Sequence, residues 1–331
     1  MSNKKGSVLI VIMWSLFFLA ILALAINAYI WPQMEFSGRL LVDVRMRYLA
    51  CAGVQRAIIE TQNDATEDYD SLYDSWSVND GAFKEVPLGS GSFSVVKHLS
   101  SSGSGSAYGL TDEESRININ KASADVLKTL LVKAAGVGEE DAEGIADSII
   151  DWRDKDDSPG KKGKEKSYYE FLGEPYPCKN ADFEVPEELL LVAGMTREIF
   201  DKIKEHITIY GDGAVNVNTA GVMALSALGM DESLAEKIVA FREEEKSPEE
   251  DGDAPANVFT DASQVTSALN KSGGLSGDEI SQLTRAATML GVKSDNFRGT
   301  AIGQTATEGR SKKIAFVYNR TDDMIKFWRE E

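Results

Sequence analysis

The chain has 331 residues with 43% hydrophobic content, enough for one large or two ordinary cores, so disorder is not the expected state. A formal net charge of -18 repels phosphate backbones and anionic lipid headgroups, which argues against a nucleic acid partner and makes divalent cations candidates. The two histidines, His98 and His206, stand far apart without ligand-like spacing, and no nucleophile-base-acid set can be assembled, so the chain does not read as an enzyme.

Between Lys5 and Glu35 there is no charged residue. As a helix the run from Ser7 to Trp31 would be about 37 Å long, enough to cross a hydrocarbon core of roughly 30 Å. Lys4 and Lys5 favour a cytoplasmic N-terminus, with the remainder of the chain beyond the membrane. Three readings of the segment compete. A secretory signal could be cut after Ala23-Leu24-Ala25, but the apolar run continues through Ile26, Tyr29, Ile30 and Trp31. A plain signal anchor needs no cut at all. The third reading rests on Lys-Lys-Gly-Ser-Val-Leu-Ile-Val, which resembles a prepilin leader cut between Gly6 and Ser7, as in type IV pilins and the pseudopilins of type II secretion. That resemblance has one departure, because the fifth mature position, usually Glu in major pilins, is Val11. A carboxylate buried in lipid is costly unless paired, so its loss suits a subunit that has no neighbour ahead of it, at a filament tip.

Helical periodicity continues through Leu40, Leu41, Val44, Tyr48, Leu49, Ala52 and Ile58, with Pro32 a candidate bend at the membrane exit. Asn63 to Asp70 breaks the pattern. Gly91-Ser-Phe-Ser-Val-Val-Lys alternates like a half-buried strand, Ser100 to Ser106 reads as a turn, and Arg116-Ile-Asn-Ile-Asn as a second strand. From there to about residue 290 the chain reads as helical, with one face at Leu127, Leu130, Leu131 and Ala134 and another at Ile145, Ile149 and Trp152. Two charged loops, Asp154 to Ser167 and Glu243 to Ala256, interrupt it. Lys313-Ile-Ala-Phe-Val-Tyr returns to strand character. Cys51 falls on the first helix and Cys178 in a Pro-flanked loop; a bridge between them is chemically allowed outside the cytoplasm, but two free thiols are the favoured reading.

An internal repeat brackets the helical block: Ile117-Asn-Ile-Asn-Lys-Ala recurs as Val215-Asn-Val-Asn-Thr-Ala. Asn120 and Asn218 are expected to cap the helices that follow. With Gly136-Val-Gly138 the first copy also resembles a helix-hairpin-helix module, whose DNA-binding form surrounds the hairpin with basic residues. Here nine acids stand against two bases between Glu139 and Asp157, so the module reads as a fold without that function.

Taken in order, the leader without its Glu, Thr111-Asp-Glu-Glu-Ser-Arg-Ile-Asn-Ile-Asn, Asp151-Trp-Arg-Asp-Lys-Asp-Asp, Tyr168-Tyr169, Pro175-Tyr-Pro-Cys-Lys-Asn, Glu187-Glu-Leu-Leu-Leu-Val-Ala-Gly-Met, Ile209-Tyr-Gly and Val215-Asn-Val-Asn-Thr-Ala resemble the protein K family of the general (type II) secretion pathway, minor pseudopilins. The resemblance implies an α+β pseudopilin fold, a long N-terminal transmembrane helix packed on a small β-sheet, with a large inserted all-α domain that contains helix-hairpin-helix-like repeats. It divides the chain into a leader (1–6), the membrane and filament helix (7–62), an α/β domain (63–120 and 290–331) and the helical insertion (121–289). It further implies a single-pass protein of the bacterial inner membrane with its globular part in the periplasm. Its expected partners are prepilin peptidase, minor pseudopilins I and J, other pseudopilins and the inner-membrane assembly platform, and its expected place is the pseudopilus tip, where it would help start assembly. Filament or membrane packing would run through Val8, Leu9, Val11, Ile12, Leu16 and Leu19. The alternatives kept open are a membrane-anchored helix-hairpin-helix protein of DNA uptake and a minor pilin of a type IV pilus.

The acidic loop supplies the one candidate site with chemistry. Asp151, Asp154, Asp156 and Asp157 put four carboxylates on one short stretch, and calcium takes six to eight oxygen ligands. By themselves they favour a solvated acidic loop, and the calcium that the resemblance implies in the inserted domain brings the ion reading level with it. The spacing is not an EF-hand, so Glu170, Asn180 or Asp182 would have to complete the shell.

Overall fold

The computed structural model describes residues 4–66, 68–97, 108–244, 257–305 and 309–331, with side chains from residue 8 onward. His98, the Ser100 to Ser106 turn and residues 245–256 of the second charged loop lie outside the described residues. The chain is a mixture of helix and sheet: α1 (Lys4–Gln62), α2 (Asp80–Phe83), β1 (Val86–Leu88), β2 (Gly91–Val96), β3 (Thr111–Asp112), β4 (Ile117–Asn118), α3 (Ala124–Ala135), α4 (Glu139–Arg153), α5 (Lys166–Glu170), α6 (Arg197–Ile203), β5 (Ile207–Thr208), β6 (Val215–Asn216), α7 (Val222–Ala227), α8 (Glu232–Glu243), α9 (Val265–Ser272), α10 (Gly277–Ala286), β7 (Leu290–Gly291), β8 (Asn296–Thr305), β9 (Ser311–Asn319) and β10 (Met324–Glu330).

Helix α1 runs unbroken through Pro32 and has two regimes. Every side chain from Val8 to Leu41 is exposed, although most are apolar. From Met46 onward one face is buried, at Met46, Leu49, Ala50, Val54 and Ala57, the i, i+3, i+4 spacing of a helix lying on a sheet. Small residues let the two backbones approach: a Cβ on Gly303 of β8 would sit 2.0 Å from the Met46 carbonyl oxygen. The sheet is antiparallel in the order β1-β2-β8-β9-β10, with β3 joining β8 through Thr111↔Arg298 and Asp112↔Phe297. Its core with α1 contains Trp76, Phe83, Phe297, Phe316 and Tyr318.

A second, separate core fills the helical unit between β3 and β8. Leu127, Leu130 and Leu131 of α3 and Ile145, Ile149 and Trp152 of α4 enter it as the periodicity predicts, while Ala134 is half-buried. Ile117 and Ile119 also belong to this core. The expected strand at Arg116 to Asn120 shrinks to Ile117–Asn118 and pairs in parallel with β5, away from the main sheet. Its repeat copy does the same, β6 pairing in parallel with β7.

The two asparagines do not cap helices. Ser123 caps α3, its hydroxyl accepting from the Val126 N–H, and α7 starts at Gly221 with no side-chain cap. Asn120 instead clamps a distant backbone, accepting from Phe183 N–H at 2.7 Å and donating to Phe183 O at 3.0 Å. Asn218 repeats the clamp on Phe259 at 2.9 Å in both directions. Arg153 donates to the Ile119 and Ala122 carbonyls, and Arg242 donates to that of Val217, so each copy also anchors the end of its second helix.

Candidate metal centre and packing helix

The acidic loop leaves α4 from a fixed point, because Arg153 is held by the backbone of the repeat motif. Two residues earlier Asp151 points inward and is 2% exposed. Its carboxylate accepts from Gly160 N–H at 2.9 and 3.1 Å, which folds the loop back over it. Gly163 allows the closure, since a Cβ there would fall 1.9 Å from Asp151 Oδ2. Asp151, Asp154 and Glu165 then bring one carboxylate oxygen each within 4.8 Å of one another.

Two oxygens of this group, Asp154 Oδ1 and Glu165 Oε1, are buried with no hydrogen-bond partner, as is Oδ1 of Asn180, whose amide donates to Asp156 O and Asp157 Oδ1 in the same loop. Unpaired buried acceptors cost stability, and crowding carboxylates costs more. Burial raises the pKa of Asp151, with Asp154, Asp147 and Asp156 adding to it; burial and Asp156 raise Asp154; burial, Asp151, Asp154 and Asp157 raise Glu165. A hard divalent cation would relieve both costs at once, and an all-oxygen donor set suits calcium. Asp151, Asp154, Glu165 and Asn180 are the residues that would hold it.

The other residues named from sequence stand around this group. Asp156 is exposed and accepts from Ser158 N–H at 2.8 Å, and Asp157, also exposed, accepts from Asn180 Nδ2 at 3.1 Å. Glu170 is exposed and faces Lys166 at 3.9 Å, while Asp182 faces Lys121 at 3.5 Å. Glu165 escapes sequence reasoning because it sits in the lysine-rich Lys161-Lys-Gly-Lys-Glu-Lys and reads as surface charge. A second carboxylate group, Asp64, Asp70 and Asp74, already holds a cation, because the Arg320 guanidinium lies 2.8 Å from Asp70 and 3.5 Å from Asp64.

Aromatic packing lies next to the acidic loop. Trp152 meets Tyr169 edge-on at 5.1 Å, and Tyr169 meets Tyr176 at 5.4 Å. Tyr169 Oη accepts from Ala193 N–H, and Tyr176 Oη donates to Leu191 O. Cys178 lies here, its thiol donating weakly to Asp151 O, whereas Cys51 is on α1 against the sheet core; both are free. Burial lowers the pKa of half-buried His206.

At the N-terminus Gly6 and Ser7 lie within α1, where only the backbone is described. Val8, Leu9, Val11, Ile12, Leu16 and Leu19 are each more than half exposed. This helix is long and apolar enough to cross a membrane. The hairpin before α4 is followed at once by Glu139, Glu140 and Asp141, which oppose a phosphate at that helix N-terminus.

Residues 99–212, the stretch that carries β3, the first copy of the repeat motif and the whole acidic loop, match the family model described as type II secretion system (T2SS), protein K. This stretch, about a third of the chain, is similar to protein K of type II secretion systems. A protein K of Pseudomonas aeruginosa is 30% identical over 144 residues, 40% of this chain and 43% of that one. A putative type II secretion system protein K of Escherichia coli K12 is 28% identical over 95 residues, 29% of either chain. The matched stretches thus span less than half the length of these curated relatives. In fold the likeness is wider: a chain of the GspK-GspI-GspJ complex from enterotoxigenic Escherichia coli superposes with a TM-score of 0.60 at 18% identity, covering 91% of this chain and 98% of that one.

Proposed function

We propose that this protein is a minor pseudopilin of a type II secretion system that caps the pseudopilus tip, helps start its assembly, and acts without catalysing a reaction. The observation that carries the reading is α1: an apolar helix, exposed from Val8 to Leu41, that projects from a fold similar to protein K and is left uncovered by the described residues. Such a helix is stable only in lipid or against other apolar helices. Before assembly it would lie in the inner membrane, with the sheet and helical units in the periplasm. During assembly it would exchange lipid for the corresponding helices of other pseudopilins.

The related fold was solved bound to GspI and GspJ, which supports the same two kinds of partner here. The helical unit, inserted between β3 and β8, adds bulk that would obstruct close packing on every side of a filament, and this favours the tip. Val11 supports that place, since a tip subunit has no preceding subunit whose amine would need a carboxylate. Calcium bound by Asp151, Asp154, Glu165 and Asn180 would stiffen the loop. The DNA-uptake reading is not favoured, because the residues at the hairpin are acidic.

The test is the N-terminus of the mature protein in cells with and without active prepilin peptidase, read by intact mass and N-terminal sequencing. A peptidase-dependent start at Ser7 is expected. An uncut chain, or a cut after Ala25, would remove the filament mechanism.

A further inference from the structure

The motif Thr111-Asp-Glu-Glu-Ser-Arg lies where the sheet unit meets the helical unit, and its three acids are buried: Asp112 is 2% exposed, Glu113 0% and Glu114 5%. Their partners come from both sides. Asp112 is in β3 of the sheet, yet its Oδ2 accepts from Thr219 Oγ1 at 2.5 Å and Asn216 Nδ2 at 3.2 Å in the helical unit, and from Ser294 Oγ at 2.6 Å in the segment that returns to β8. Glu114 accepts from the side chain and backbone of Asn296, at 2.7 and 3.1 Å, while its carbonyl receives Asn216 N–H. Asn216 also donates to the Asp70 carbonyl. The units are therefore joined by a polar network and not by a shared apolar core.

The charges in this junction do not balance without a proton. Arg116 and Arg298 are both committed to Glu113, at 3.2 and 2.6 Å, where Thr208 also donates. Burial alone would raise Glu113, but the two guanidiniums hold it below the usual carboxylate range. Arg320 is committed to Asp70 and Asp64. Thr219, Asn216, Ser294 and Asn296 bring only neutral donors, and Tyr210 faces Glu113. Asp112 and Glu114, joined by the Glu114 N–H donating to Asp112 Oδ1 at 2.8 Å and with side chains close enough to share a hydrogen bond, are left with no cation among the described residues.

We propose that Asp112 and Glu114 share a single proton, carried by Glu114 and donated to Asp112, and that this acid–carboxylate pair locks the sheet unit to the helical unit and loosens when it ionises. Two carboxylates in contact in a buried site cannot both carry charge cheaply. Asp112, with three neutral donors and the Glu114 N–H around it, is the better anion; burial and the Asp112 charge push Glu114 well above its usual range. The unfolded chain releases this proton at the ordinary glutamate value. Folding thus takes up one proton, so stability falls as pH rises from there toward the raised value, up to tenfold in the unfolding constant per pH unit.

The experiment is urea unfolding of the full-length chain in neutral detergent micelles from pH 5 to 8, wild type against Glu114→Gln. The expected result is a steep rise of the wild-type unfolding constant with pH and a slope lower by about one proton in the variant. A residual slope belongs to the other carboxyls that burial raises, Asp70, Asp74, Asp151, Asp154 and Glu165, which both proteins share. Equal slopes would overturn the proposal. Should the variant not fold, infrared spectra of wild type with and without carboxyl-¹³C glutamate decide the matter. A protonated carboxyl band that shifts with the label at pH 7 supports the shared proton, and absence of any such band overturns it.

Discussion

The acidic loop permits a prediction with both sign and size. Asp154→Asn combined with Glu165→Gln removes two of the three converging carboxylates at nearly constant volume. For a site with a dissociation constant of about 10 µM, within the range of oxygen cages, 1 mM calcium stabilises the folded protein by about 2.7 kcal/mol. In a helical unit of roughly 170 residues that corresponds to about 5–10 °C in Tm. Melting curves of the full-length chain in detergent, followed by circular dichroism in calcium and in chelator, should show this increment in wild type and lose it in the double variant. In chelator the double variant should melt at or above wild type, because it no longer pays for crowded carboxylates whose pKa values burial and one another's charge raise. The same raised values require protons to leave before calcium binds, so the increment should grow from pH 5 to pH 7. Asp156→Ala and Glu170→Gln, outside the converging group, should keep most of it. A wild-type curve indifferent to chelator, or an undiminished increment in the double variant, would refute the assignment.

Other positions test the packing. Gly303→Ala puts a methyl group against the Met46 carbonyl and must push α1 off the sheet, at a cost of about 3 kcal/mol in urea unfolding. Asn218→Ala strands the N–H and carbonyl of buried Phe259, which should cost about 2–4 kcal/mol and speed hydrogen exchange at residues 257–260. Leu16→Asp places a carboxylate in the middle of the apolar run, a penalty of about 3 kcal/mol, and should reduce retention of the chain in carbonate-washed membranes.

How far the sequence could be read depended on how local each signal was. The apolar run of α1, the faces of α3 and α4 and the strand character of β2 and β9 are carried by neighbouring residues, and these elements lie where the spacing puts them, although β2 buries Phe93, Ser94 and Val95 in succession and not in alternation. Strand β8 is the central strand of the sheet yet was not legible. Gly299 and Gly303 depress its strand character, and those glycines are there because Leu110, Phe316 and α1 crowd them. Strand β10 is largely exposed and kinked by a register shift between Ile325 and Phe327, so it shows no clean alternation. Asn120 and Asn218 precede helices and invite a capping interpretation; their real partners, Phe183 and Phe259, are 63 and 41 residues away. Glu165 was hidden for the same reason, being brought to Asp151 and Asp154 by the turn at Gly160 and Gly163. The acids of Thr111-Asp-Glu-Glu-Ser-Arg were visible as a motif, but nothing local indicated that they are buried between two units.

The central claim is that the exposed helix is built to assemble with other pseudopilins. The most direct measurement is purification of the tagged full-length chain, from detergent-solubilised membranes of cells that also express minor pseudopilins I and J of the same secretion system, followed by size-exclusion chromatography and mass analysis of the peak. The account predicts one stable complex that contains all three proteins and is lost when the segment from Val8 to Leu19 is made polar. Elution of this chain alone, while I and J elute together without it, would contradict it.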